Sequence, residues 1–363
     1  MDDEVAAVFG TTSAAAAAAQ AQVEPLAHAA VASATAGMWR VRVGERSAVV
    51  KVLAHRATGG HENWRSGEAE DHWYYWRREA RAYESGLLTS LTGGLRPPEC
   101  HLIAERDDGS VALWLEDLTG APGSTWPVGR YRDAARHLGR AQGEFVAGRP
   151  LPTDPWLSRG WLRAYLAQRD RHLERLDDPA AWRHPLVAAW FPDPPVDELR
   201  ALRHHQDRYL DLLDALPPTL SHLDLHPGNL FDAGGGTAAI DWAFVGRGAL
   251  GEDVGNLVPD AVFDFHVPPE RLDDLYAAVA EGYQAGLQDA GADVTPDEVR
   301  LAMSTTMVAK YSWIAPAILG ATSEDQEQLN GRPIADALAS WAPAVHFLLA
   351  RATQVDALSG HRP

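Results

Sequence analysis

Apolar and charged positions alternate between residues 38 and 53. Trp39, Val41 and Val43 fall opposite Arg40 and Arg42, and after a turn at Gly44-Glu45-Arg46 the residues Val49, Lys51 and Leu53 share one face. A period of two predicts paired strands over Met38–Val43 and Ser47–Leu53. His101–Glu105 and Ser110–Glu116 read as a second hairpin around Asp107-Asp108-Gly109, and Val23–Leu26 as a first strand. One helix interrupts this half, His72–Leu88, where Trp76, Ala80, Tyr83 and Leu87 mark a buried stripe. The Ala-rich stretch 11–22 is a short helix or a frayed leader. Beyond the linker Thr119–Gly123 the helical period takes over. Tyr131–Ala147 repeats Ala134, Leu138, Ala141 and Phe145; Trp161–Leu176 and Asp197–Leu216 follow. Pro269–Gly286, a helix opened by the capping box Thr295-Pro296-Asp297-Glu298, and Ile334–Val355 complete the tail. The pattern divides the chain into a strand-rich part, 1–118, and a helix-rich part, 119–363.

One stretch of the helical part keeps no helical period. Leu220–Leu225 is mostly apolar, Pro227-Gly228 forces a turn, and the chain reverses through the glycines before Gly236 to re-enter as Ala238–Trp242. This arrangement carries an acid at Asp224, an amide five residues later at Asn229, and a second acid at Asp241, twelve residues after Asn229. Phosphoryl transfer needs an acid to orient and deprotonate the attacking hydroxyl, and oxygen ligands for magnesium. Asp224 fits the first role, Asn229 and Asp241 the second.

His222-Leu223-Asp224 with Asn229, followed by Ile240-Asp241-Trp242, resembles the aminoglycoside phosphotransferase and choline kinase-like family. The resemblance implies an α+β, bilobal, protein-kinase-like fold: a small antiparallel-sheet N-lobe over 1–118 and a larger, mostly helical C-lobe over 119–363. It implies that Lys51 holds nucleotide phosphates and that an acid on the following helix pairs with it. Glu79 matches that position best, and Glu84 is the alternative. A phosphate-covering loop is expected over His28–Gly37. Only the Ser33 and Thr35 hydroxyls and backbone amides are on offer there, because the Gly-rich signature of protein kinases is absent. Glu116 and Leu118 fall at the hinge whose backbone meets the purine. His222 supports the catalytic loop, His226 is open between orienting that loop, touching phosphate and packing, and Asp253 would cap a helix and brace the loop. Glu252, Asp260 and Asp264 are placed near the acceptor side, where they would either receive amino groups or serve as solvated surface acids.

Composition adjusts this picture at a few points. The 363 residues suffice for two lobes, and the single Cys100 excludes an intrachain disulfide or a cysteine zinc site. A net charge of −18 argues against nucleic-acid binding and permits a cationic substrate. No apolar run reaches the ~18 residues a membrane helix needs. The acidic start Met1-Asp2-Asp3-Glu4 has the wrong sign for a secretory signal, so a cytoplasmic location is expected. The segment after Trp242 is too short for a protein-kinase activation segment, which favours a small-molecule kinase. The expected activity is O-phosphotransfer from ATP or GTP, with Mg2+, to a hydroxyl of an aminoglycoside or related antibiotic. An amino-sugar, nucleoside-antibiotic or amino-alcohol kinase is the second reading, and a nucleotide-binding pseudokinase scaffold the third. Monomer and homodimer both stay open.

Overall fold

The computed structural model describes residues 2–10, 19–27, 33–55, 64–169 and 172–360. The chain packs as two compact units. The first comprises Met1–Ala121, Pro152–Arg159 and Phe231–Gly246; the second comprises Pro122–Leu151, Gly160–Leu230 and Arg247–Pro363. Two short later segments therefore fold with the N-terminal sheet.

In the first unit, β1 (Gln22–Pro25), β2 (Thr35–Val43), β3 (Arg46–Leu53), β5 (Cys100–Glu105) and β6 (Val111–Glu116) form an antiparallel sheet in the order β1-β2-β3-β6-β5; β4 is the short Leu95–Arg96. Strand alternation assigns its faces. Val41, Ala48, Val50, Val52, Ala112 and Trp114 form a buried cluster with Val5 and Phe9. The last two come from a helix, Asp2–Phe9, that the sequence pattern did not suggest. Its Glu4 accepts from both Arg106 and the Trp114 indole, each at 2.8 Å, and Arg46 donates to the Phe9 carbonyl at the helix C-terminus. Lys51, out of phase with Val50 and Val52, points to the opposite face.

The expected helix His72–Leu88 is much shorter, Arg78–Glu84. Its upstream turn is used otherwise. The carbonyls of His72 and Trp73 accept from the Arg78 guanidinium, at 2.7 and 3.0 Å, and Trp73 stacks on Phe244 with centroids 6.0 Å apart.

The second unit is helical. Val128–Val146 packs along Leu272–Asp289, and Glu252–Phe263, Pro296–Tyr311, Ile314–Ser323 and Ile334–Leu358 form the rest of the core. The predicted helix Trp161–Leu176 ends at Ala167, and Asp197–Leu216 divides into Val196–His204 and Gln206–Asp214. The capping box at Thr295 is present, with the Glu298 side chain returning to the Thr295 N–H at 2.7 Å. Among the described residues, no helix is long and apolar enough to cross a membrane.

Candidate active site

Lys51 lies in the centre of the first unit's sheet, paired across to Met38 on β2 and Leu113 on β6. It is 4% exposed. Its Nζ sits 2.6 Å from Glu79 Oε2 and 2.8 Å from Asp241 Oδ1. Burial alone would lower the ammonium's pKa, but the Asp241 and Glu79 carboxylates outweigh it and hold the group above the ordinary lysine value. Burial raises the Glu79 carboxyl, and Lys51 only partly opposes that. Glu84 instead pairs with Arg81 at the surface.

Asp241 is held in a conformation that L-residues rarely take, with φ 61°. Its neighbours fix it. The Trp242 N–H donates to Glu79 Oε1 at 3.2 Å, and the buried Trp242 indole donates to Ala239 O at 2.7 Å. Arg78 gathers the same region: beyond His72 and Trp73 it donates to the carbonyls of Trp156 and Ala243. Burial pushes this guanidinium down to about 10. Two adjacent residues, Arg78 and Glu79, thus clamp the backbone on the C-terminal side of Asp241. One ammonium between two carboxylates leaves a net negative charge. Asp241, 40% exposed at its side chain, is the member of the trio within reach of a ligand. A hard, accessible carboxylate oxygen is what Mg2+ takes alongside nucleotide phosphates.

In the second unit, Ser221 to Asn229 forms a loop organised by Asp253, which is fully buried. Asp253 accepts from the His222 N–H at 2.9 Å, the Leu223 N–H at 2.7 Å and Gln142 Nε2 at 2.8 Å. Burial raises its carboxyl pKa in spite of these donors. Leu223 has φ 68°, so a strained residue sits where the carboxylate grips the backbone. The expected helix cap is not Asp253: Gly251 occupies the N-cap, at φ 80°, and Asp253 serves the loop and Gln142. His222 Nδ1 accepts from the Asp224 N–H at 3.3 Å, and His226 Nδ1 accepts from the Gly228 N–H at 3.2 Å. Asn229 donates from Nδ2 to the Asp224 carbonyl at 3.0 Å, which leaves its amide oxygen as the metal-type donor.

Residues 27–294 match the phosphotransferase enzyme family. The chain belongs to that family. It is a phosphotransferase acting on a hydroxyl group of a small molecule. No curated protein sequence matches it. Solved structures share its fold at low identity. A choline kinase from Cryptosporidium parvum Iowa II is 12% identical with a TM-score of 0.52, over 94% of this chain and 92% of that one. An amicoumacin kinase in complex with AMP-PNP and Ca2+ is 15% identical with a TM-score of 0.51, over 98% and 96%. The GDP complex of an aminoglycoside 2'-phosphotransferase is 14% identical with a TM-score of 0.50, over 90% and 92%.

Several residues of this phosphotransferase sit differently from their expected places. The Ser33 hydroxyl, 3% exposed, donates to Trp64 O and accepts from the Ser66 N–H, so it is engaged inside the first unit rather than presented to phosphate. Thr35 opens β2, opposite Leu53, and is also buried. Residues 28–32 of the expected phosphate loop lie outside the described residues. Glu116 ends β6, and its carboxylate is held below its usual range by Arg96 at 2.6 Å; Leu118 follows on the way out of the sheet. Glu252 is 6% exposed and accepts from the Ala249 N–H at 2.9 Å, so it braces a turn and does not face a substrate. Burial raises its carboxyl to about 7. Asp260 lies 3.6 Å from Lys310, and Asp264, 38% exposed, lies 3.8 Å from His226.

Sequence reading missed Gln142, Tyr283, Arg78 and Lys310. The Tyr283 hydroxyl donates to Gln142 Oε1 at 2.6 Å and accepts from the Gly251 N–H, so it supports the Asp253 network from behind. A signal existed for this pair. Gly139 and Gly143 on one helix, and Gly282 and Gly286 on the other, carry the small-residue spacing of a close helix crossing. A Cβ at Gly139 would strike the Tyr283 carbonyl, and one at Gly286 the Arg136 carbonyl.

Proposed function

We propose that this phosphotransferase moves the γ-phosphate of ATP or GTP to a hydroxyl of an aminoglycoside or related antibiotic. The observation that carries this reading is Lys51, buried and pinned by Glu79 and Asp241 in the first unit. An ammonium fixed in a low-dielectric setting binds phosphate oxygens with little reorganisation. Asp241 and Asn229 would supply the oxygen ligands for Mg2+. When bound, that ion neutralises charge on the transferring phosphoryl group. Asp224, on the loop that Asp253 fixes, orients the acceptor hydroxyl and takes its proton. Little covalent work falls to the protein, so positioning and charge account for the catalysis.

Complexes of structural relatives with a triphosphate analogue and with GDP are in keeping with a nucleotide donor of either purine. The intact set Lys51, Asp224, Asn229 and Asp241 speaks against a scaffold that only binds nucleotide. The test is purified protein with magnesium ATP or GTP and a panel of aminoglycosides, amino sugars, nucleoside antibiotics and amino alcohols, read by mass spectrometry of the acceptor. A phosphorylated aminoglycoside is the expected product. Transfer only to an amino alcohol or amino sugar would move the substrate reading, and nucleotide binding without any transfer would overturn the activity.

A further inference from the structure

Lys310 lies in the last turn of the helix Pro296–Tyr311 and is 3% exposed. Its Nζ lies over three rings of the second unit: Trp161 and Tyr165, each at 5.4 Å from the centroid, and Tyr311 at 5.2 Å. A carboxylate beside it, Asp260, is 3.6 Å away. Aromatic faces plus an acid are the chemistry that recognises an ammonium ion. Here the chain supplies that ammonium itself. The group makes no hydrogen bond to any described residue, although it has three N–H donors. A buried charge without hydrogen bonds is costly, so the arrangement fits a site completed from outside. The surroundings keep the lysine charged: burial would lower its pKa, and Asp260, Tyr165 and Asp224 together more than reverse that. Asp260 lies one helical turn before Asp264, whose carboxylate is 3.8 Å from His226 in the loop that carries Asp224.

We propose that Lys310 determines acceptor specificity, filling the ammonium box of Trp161, Tyr165, Tyr311 and Asp260 and presenting N–H donors to an oxygen of the acceptor. The acceptor therefore carries a hydroxyl or carboxylate at this position, and any amines it has lie elsewhere. This rests on the reading of Asp224 as the hydroxyl-activating acid, so one arm of the test does not depend on catalysis.

In that arm, Lys310→Ala in the full chain is titrated with ethylammonium chloride, with ethanol as the control, and Tm is followed. The vacated box should take the cation, giving a saturable rise in Tm that wild type and the volume-filling Lys310→Met variant lack. The same response in all three proteins, or in none, would overturn the proposal. In the catalytic arm, kcat/KM is compared for acceptors matched in skeleton but bearing either an amine or a hydroxyl, such as glucosamine and glucose. The ratio should move toward the amine member by about tenfold or more in Lys310→Ala, and the hydroxyl preference should weaken in Lys310→Met, which keeps this arm informative if the alanine variant does not fold. An unchanged ratio would overturn the proposal. Absence of transfer by wild type to any acceptor would count against the proposed function, and the ethylammonium response would still decide the role of Lys310.

Discussion

Two lysines are buried to nearly the same degree, Lys51 at 4% and Lys310 at 3% exposed, and both are held above the ordinary lysine pKa against the pull of burial. They reach that state by different means. Lys51 has two carboxylates within 2.8 Å, one of them closed off from solvent and the other 40% exposed. Lys310 has one carboxylate at 3.6 Å and three aromatic faces. The first lysine is fixed in place by two ion pairs, which hold its charge ready for the proposed phosphate contact. The second is held charged without being hydrogen-bonded, and an ammonium in that condition is available to a ligand. Burial by itself therefore says little about a lysine's role, whereas the kind of neighbour says a great deal.

The largest effect should come from the carboxylate-held lysine. Lys51→Met is expected to lower kcat/KM by about 10²–10³, the range for removing one preorganised donor. It should also destabilise the fold by about 3–5 kcal/mol, because Glu79 is left buried without its partner. Steady-state kinetics and urea unfolding measure the two. A variant with normal stability would mean that the ion pairs do not hold this lysine as described. Asp253→Ala, which touches neither lysine, removes the acceptor for three donors and should cost on the order of 3 kcal/mol, with a fall in kcat larger than any change in nucleotide affinity. Unaltered kcat would remove the bracing role.

A further effect, of similar size, is one of pH and concerns Glu252. Its carboxyl titrates at about 7 in the folded chain against 4.5 as the ordinary value. Between these values the unfolded state releases its proton first, so the folded state loses stability as pH rises through that window. The loss should approach about 3 kcal/mol by pH 8. Glu252→Gln keeps an acceptor for the Ala249 N–H and cannot ionise, so its Tm should exceed wild type by more at pH 8 than at pH 4.5. Parallel Tm curves for the two proteins across that range would refute the burial of an ionisable carboxyl there.

The contrast between the lysines also marks what could be read from the chain. Lys51 was legible because strand parity places one charge on an apolar face, in a motif context that includes Asp224, Asn229 and Asp241. Lys310 lies in the last turn of a helix with an ordinary apolar stripe, and two of its three rings come from residues far earlier in the chain, so no local pattern points to it. The strands of the two hairpins and the long helices Val128–Val146, Leu272–Asp289, Pro296–Tyr311 and Ile334–Leu358 followed from periodicity; the order in which the strands pair did not. The short helix at Arg78 did not, because His72 and Trp73 turn their carbonyls to a guanidinium instead of to helical N–H groups. Glu252 was misplaced for a related reason. Composition shows an acid near the loop, but only packing shows that the acid is buried and bound to backbone.

The most direct measurement is phosphate transfer from γ-labelled ATP or GTP to an acceptor that wild type phosphorylates, compared with Asp224→Asn under the same conditions. The account predicts that kcat falls by about 10²–10⁴, the range for a general base, while the variant still binds the magnesium nucleotide. Transfer by Asp224→Asn at the wild-type rate would contradict it.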